Sequence, residues 1–446
     1  MNYIGLIFAV KRKNPSVNTP KKMWPKSKIV RIVVVVFSQL PFLSKGQVDS
    51  SQHKFSLHFQ QTSIYQSHGK FDAKYSGDNS LINEEESALS LTSTLFLDMA
   101  LWKGAKFTFN PELSGGKGLS QAKGLGGFTN GETFRIGNPE PVVYVARLLV
   151  SQDFDLKKNR NLKIAIGKFG LADYFDFNTY SHDPRAHFMN WSLMSQGSWD
   201  YAANTRGYTS GIYAEYSHPK FQVRGAFVAV PTSANGPDLD YQYDQANGIN
   251  LELTKPFQIN STYSGVIRFL TFRNQAGMGN YDQANTIFGA KPDITKSRSP
   301  FRTKSGFSFN AELTHSDLWG SFARIGWNDG KNETWAFTEI DASASIGFHF
   351  YGKLWKRPKD YAGIAWVSNG LSESHQTYQK LGGNGFMIGD GDLNYGQEGI
   401  LEAFYSYEIP STKFTLSPNF QYVINPGYNK DRGPVAVWAL RVHTEF

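Results

Sequence analysis

The chain contains no cysteine. That excludes disulfides, thiolate metal sites and a cysteine nucleophile, and it suits an exported protein that must escape oxidation in transit. After the first segment no run reaches the roughly 18 apolar residues that a membrane helix needs, so a bilayer, if crossed, is crossed by strands. No Pro/Ser-rich linker and no shift of composition divides the 446 residues, and one large domain is the simpler reading. The G-x-S-x-G elbow and the H-E-x-x-H pair are missing, so the common hydrolase and metalloprotease signatures are absent. What is abundant is rings: Phe, Trp and Tyr make up 15% of residues beside 42 Gly, yet mean hydropathy is only −0.40.

The net charge of +8 is concentrated at one end, because the first 46 residues hold nine Lys or Arg and no acid. The remainder is close to neutral, and a pI near 9.2 therefore gives no reason to expect nucleic acid as a partner. Those 46 residues have the form of an export leader: basic Lys21, Lys22, Lys26, Lys28 and Arg31, an apolar run from Ile32, then Ser44 and Gly46 before Gln47. The segment before Met23 is unusual for a leader, so Met23 is an alternative start. The expected organisation is a leader over 1–46 and a single domain over 47–446.

The end of the chain shows how that domain is built. In VAVWALRVHTEF, residues Ala436, Trp438, Leu440, Val442, Thr444 and Phe446 share one face, while Arg441, His443 and Glu445 lie on the other. Such a strand separates lipid from water, and outer-membrane barrels commonly finish on one. Runs with period-two alternation fall near 54–65, 86–101, 105–113, 142–154, 161–170, 207–217, 220–230, 247–257, 261–273, 304–315, 318–328, 336–351, 358–369, 395–409, 412–424 and 433–446. Connections after the even-numbered runs are short and the others mostly long, the longest covering about 171–206. This predicts an all-β, 16-stranded antiparallel transmembrane barrel with short periplasmic turns, long external loops, loops folded into the lumen and both termini in the periplasm.

Parity supports the prediction. Leu89, Leu91, Leu95, Leu97 and Met99 alternate with Ser90, Thr92, Thr94 and Asp98, and Leu401, Ala403, Tyr405 and Tyr407 alternate with Glu402, Ser406 and Glu408. By the same rule Arg147, Glu215, Arg224, Glu252, Arg268, Glu312, Arg324 and Arg441 face the interior. A charge on the lipid face costs about 2–4 kcal/mol near the midplane.

Three stretches carry a family resemblance: FDFNTYSHDPRAHFMNWSLMSQGSWDYAANTRGYTSG over 175–211, RFLTFRNQAGMGNYDQA over 268–284, and QYVINPGYNKDRGPVAVWALRVHTEF over 421–446. Together they make the mature chain resemble the carbohydrate-selective porins of the OprB-like family. The resemblance implies passive diffusion of mono- or oligosaccharides through a lumen narrowed by loops. It also implies insertion into outer-membrane lipid and delivery to the barrel-assembly machinery through the strand ending at Phe446. No cofactor is expected; monomer and homo-oligomer both stay open.

A sugar offers hydroxyls at its rim and C–H groups on its faces, so a selective pore needs polar partners and ring surfaces. Arg147, Glu215, Arg224, Glu252 and Arg268 are candidates for a polar belt, with a structural ion-pair ladder as the alternative. In the long loop Trp191, Trp199 and the closing Arg206 are candidate pore-lining residues, and the loop's rings must be buried somewhere, with the lumen nearest. A plug or a trimer contact is the other use for those rings. GGKGLSQAKGLGGFTNG over 115–131 reads as a flexible external loop. His182, Asp183 and His187 read as hydrogen-bonding groups before metal ligands. Asp390, Asp392 and Asn394 lack the Gly and Glu that a calcium loop needs. A receptor or adhesin, an unselective porin, and a barrel carrying an enzyme site are the competing functions.

Overall fold

A computed structural model describes residues 54–133, 140–260, 263–287 and 291–446; the expected leader lies outside them. Sixteen strands form one closed antiparallel barrel. They are β1 (Phe55–His68), β2 (Glu86–Ala100), β3 (Ala105–Gly115), β4 (Val142–Leu156), β5 (Arg160–Phe169), β6 (Thr209–His218), β7 (Phe221–Val228) and β8 (Asn247–Gln258) in the first half. The second half supplies β9 (Ser264–Ala276), β10 (Arg302–Thr314), β11 (Trp319–Asn328), β12 (Ala342–Tyr351), β13 (Tyr361–Gly370), β14 (Glu398–Glu408), β15 (Phe414–Ile424) and β16 (Val435–Glu445). Each strand pairs with its neighbour in sequence, and β1 closes on β16 from Gln60 opposite Glu445 to His68 opposite Val437. Closure leaves no unpaired backbone edge, which is the condition for strands to lie in hydrocarbon. Among the described residues no helix is long and apolar enough to cross a membrane.

The two faces separate as the alternation predicts. Trp438 is 61% exposed and Ile325 58% on the outer wall, while Arg441 and Glu402 are almost completely buried on the inner one. On β2, Ser90, Thr92 and Thr94 are buried and Leu89 is exposed. Outward rings pack on each other across strands, Phe420 with Trp438 at 4.6 Å and Phe269 with Phe309 at 4.8 Å between centroids.

The hydrophobic core lies inside the barrel, and the long connections build it. Trp191, Trp199, Tyr201, Phe175, Phe188, Phe128, Trp335 and Phe337 are all buried in one cluster with inward wall residues such as Tyr213, Phe322 and Phe404. A lumen of sixteen strands is too wide for wall side chains to fill, so these loops supply the rings that exclude water.

Two expectations about the loops need correction. The Gly-rich 115–131 segment is not a flexible external loop: Phe128 stacks on Trp191 at 4.8 Å, and the Gly126 and Gly127 N–H groups donate to Glu398 at 3.1 and 2.7 Å. Its glycines permit close approach. A Cβ on Gly124, whose φ is +80°, would lie 1.8 Å from Leu81 N, which only glycine avoids. The run expected over 336–351 becomes a strand only at Ala342. Ahead of it the N–H groups of Trp335, Ala336 and Phe337 all donate to Asp200, at 3.0 to 3.1 Å, which turns the segment into the lumen.

Candidate functional site

The longest connection, 170–208, enters the lumen and divides it. A single helical turn, α1 (Trp191–Met194), starts at Asn190, whose side chain accepts from Ser192 N. It presents Trp191 to Phe128, Tyr201 and Phe337, with ring centroids 4.8, 5.8 and 5.2 Å away. The Trp199 indole donates to Asn250 at 3.0 Å. Both tryptophans are at most 1% exposed, so the structure puts them in the interior of the plug and does not bring them to open lumen.

The predicted charged belt splits into two parts with different surroundings. On β6, β7 and β8, Glu215, Arg224 and Glu252 face one another directly across the register. Arg224 donates to Glu215 at 2.8 Å and to Glu252 at 2.7 Å. Glu252 also accepts from the loop at Asp176 N, at 2.7 Å. Arg268 pairs with Glu312 at 3.3 Å, and Glu312 accepts from Thr179 N at 2.7 Å.

Further along the same wall, Arg324 pairs with the Asp176 carboxylate at 3.2 Å and donates to the carbonyls of Ser181 and Leu193 at 2.5 and 3.1 Å. Glu402 accepts from Met189 N and Asn190 N at 2.6 and 2.9 Å. Arg441 donates to the carbonyls of Pro184, Ala186 and His187 at 2.6 to 2.7 Å. One side of the loop is thus fastened to the wall from β8 to β16, chiefly by charged side chains meeting backbone groups, which are strong hydrogen bonds in a dry setting.

The other side of the loop stays open. A cavity of about 310 Å³ lies between it and β1, β2 and β4, lined by Gln60, Phe96, Arg147, Asp173, Arg185, Glu132, Arg206 and Tyr208 among others. Arg147 donates twice to Asp173, at 2.7 and 2.5 Å, and its guanidinium lies 5.5 Å from the Tyr208 ring centroid. Arg206 lies 4.1 Å over Tyr144. Nη1 of both Arg147 and Arg206 is buried and has no hydrogen-bond partner among the described residues. Arg185 bridges Glu132 at 2.6 Å and Glu112 at 3.3 Å, and Tyr208 donates to Glu112 at 3.1 Å. The cavity therefore gathers guanidinium, carboxylate and ring groups within one small volume.

Of the expected lining residues, Arg147 and Arg206 reach this cavity, while Arg224, Glu215, Glu252 and Arg268 are brought together elsewhere, against the loop. Asp173, Arg185, Glu112, Glu132, Tyr144 and Tyr208 were not singled out from the sequence. Glu112 had a usable signal, since it shares lumen parity with Thr108 and Asn110. His182 tilts against Phe177 at 5.1 Å, and Asp183 accepts from Arg185 N at 2.9 Å. Asp390 accepts from Tyr75 at 3.1 Å and from Asn429 at 3.1 Å. Among the described residues no three His, Cys, Asp or Glu converge as metal ligands.

His187 makes the docked loop sensitive to acid. Its ring packs near His349 at 5.6 Å and Tyr361 at 5.9 Å. Burial first, then the Arg441 and His182 charges, depress its pKa to about 4, against the opposing pull of Asp183. A depressed histidine contributes stability above its ordinary pKa near 6.5 and loses it as pH falls through the folded value. Single-channel current is therefore expected to be steady at pH 7 and to become noisy between pH 6.5 and 4, with His187→Gln showing a smaller step. Equal acid responses in the two proteins would remove His187 from the account.

The sequence profile described as "Carbohydrate-selective porin, OprB family" matches residues 83–446. Among solved structures, the high-pH structure of Pseudomonas putida OprB is similar at 17% identity, with a TM-score of 0.69 over 88% of this chain and 94% of that one. The outer membrane channel DcaP of Acinetobacter baumannii is similar at 10% identity, with a TM-score of 0.51 over 89% and 99%. At these identities the structural likenesses speak for the fold. No protein of curated function matches the sequence.

Proposed function

The chain belongs to the OprB family of carbohydrate-selective porins, and on that premise we propose that its sugars pass between the 170–208 loop and the wall of β1–β4. Its function is that of a passive outer-membrane sugar channel. The observation that carries the path is the cavity of about 310 Å³ in which Arg147, Asp173, Arg206 and Tyr208 meet. Guanidinium groups donate to sugar hydroxyls, carboxylates accept from them, and ring surfaces receive the C–H faces. Arg224, Glu215, Glu252 and Arg268 act one step back, holding the loop that forms the other bank. No tight site is expected along such a path, because a sugar must bind weakly enough to leave.

The remaining assignments follow from the family and from the loop pattern. Residues 1–46 serve as the export leader, and the short turns and both termini face the periplasm. The β16 strand, followed directly by Phe446, is the part presented to the assembly machinery.

The test is single-channel conductance of the purified mature protein in a planar bilayer with glucose and its oligomers titrated in. The expected result is an open channel whose current falls saturably with sugar, and less with a non-sugar solute of equal size. Conductance indifferent to every sugar would defeat the selective path.

A further inference from the structure

The two sets of connections between strands carry opposite charge. The seven short turns hold nine Lys or Arg and two Asp or Glu, whereas the eight long connections hold fourteen Lys or Arg and twenty-three Asp or Glu. The densest turn is 352–360, between β12 and β13, with Lys353, Lys356, Arg357 and Lys359. A cavity of about 340 Å³ opens between this turn and the 409–413 turn, lined by Lys356, Arg357, Lys359, Ser411, Asp360 and Glu408 among others.

Within it the charges are unequal. Arg357 is engaged by Asp360 and by the Glu408 carbonyl at 3.0 Å. Lys359 pairs with Glu408 at 2.5 Å. Lys356 has no ion-pair partner among the described residues, so the pocket keeps a net positive charge.

The wall beside it is apolar and aromatic. Leu354 is 50% exposed, the Trp355 indole donates to the Tyr405 hydroxyl at 3.0 Å, and the Arg357 guanidinium lies 4.3 Å over the Tyr407 ring. Tyr405 and Tyr407 belong to the outward set of β14. A basic pocket at the end of a ring-bearing, lipid-facing strip matches both halves of a phospholipid: an anionic head group on the lysines and an acyl chain along Leu354 and Trp355.

We infer that this pocket binds an anionic phospholipid of the leaflet on the turn side, its phosphate held by Lys356 with Lys359 and Arg357. Calling that leaflet the periplasmic one rests on the orientation proposed above; the pocket itself does not. Each basic residue at an anionic lipid surface strengthens binding about fivefold.

The test is native mass spectrometry of the detergent-purified barrel with phosphatidylglycerol or phosphatidylcholine added. The wild type should retain phosphatidylglycerol preferentially. K356Q/K359Q should weaken that retention about tenfold or more, K356R/K359R should preserve it, and K70Q/K74Q on the opposite rim should leave it unchanged. Heat-modifiable gel mobility confirms that each variant is folded. Equal retention of the two lipids by the wild type, or undiminished phosphatidylglycerol binding by K356Q/K359Q, overturns the inference. Because the chain has no cysteine, Ser411→Cys gives a unique label: reaction with an impermeant maleimide on intact cells would overturn the orientation, while the lipid affinities in detergent would stand or fall separately.

Discussion

Arg324→Ala should raise single-channel conductance several-fold and abolish block by sugar, although the barrel still forms. The arginine is buried on β11 and holds four acceptors of the inward loop: the Asp176 carboxylate at 3.2 Å and the carbonyls of Asp176, Ser181 and Leu193 at 3.2, 2.5 and 3.1 Å. Removing one member of a buried pair costs about 3–5 kcal/mol, because the other charge stays behind without its partner. Asp176 would keep Asn310 at 2.7 Å and Gln196 N at 2.7 Å, while Ser181 and Leu193 would lose their contacts to β11 and admit water behind that part of the loop. Arg324→Lys should fall between, since an ammonium preserves the charge and loses the planar fork. Conductance and sugar block both unchanged in the Ala variant would show that the remaining anchors suffice.

The second large effect is expected at Arg147. With Arg147→Ala, the sugar concentration that half-blocks the channel should rise at least tenfold, with little change in conductance. A hydrogen bond to a charged group contributes about 1.5–3 kcal/mol, and each 1.4 kcal/mol is a factor of ten in affinity. The substitution leaves Asp173 in place, because its carboxylate still accepts from Gly170 N at 3.0 Å, so the loss would report the permeant's own contact. Sugar titrations in a planar bilayer measure it directly. Undiminished block would put the sugar path somewhere other than the cavity beside β4.

The parts of this molecule that repeat were readable in the sequence. Period-two alternation placed the sixteen strands, the short–long rhythm of connections gave their antiparallel order, and parity put Arg224, Arg324 and Arg441 inside. The parts that depend on contact between distant segments were not. The need to bury the rings of Trp191 and Trp199 points to the lumen, but not to the partners that cover them there: Phe128 and Phe337 arrive from other loops. Ala336 and Phe337 alternate like a strand until Asp200, far away in sequence, takes their N–H groups. Glu402 was visible as an inward acid, yet its partners include the backbone N–H groups of Met189 and Asn190, which no residue type announces. Asp173 and Arg185 were passed over for the same reason: only the folded loop shows which of its charges face the open side.

The anchors also set an order of events. Arg441 stands on the final strand and holds carbonyls 254 to 257 residues earlier, Glu402 reaches back 213 residues to Met189, and Glu398 reaches back 271 to Gly127. Closure of the wall spans a still longer separation, with Gln60 on the first strand opposite Glu445 on the last, and contacts so distant in sequence are slow to form. Until the last strand is in place, the wall lacks its seam and the loop lacks the Arg441 anchor. The final strand completes both the cylinder and the sieve.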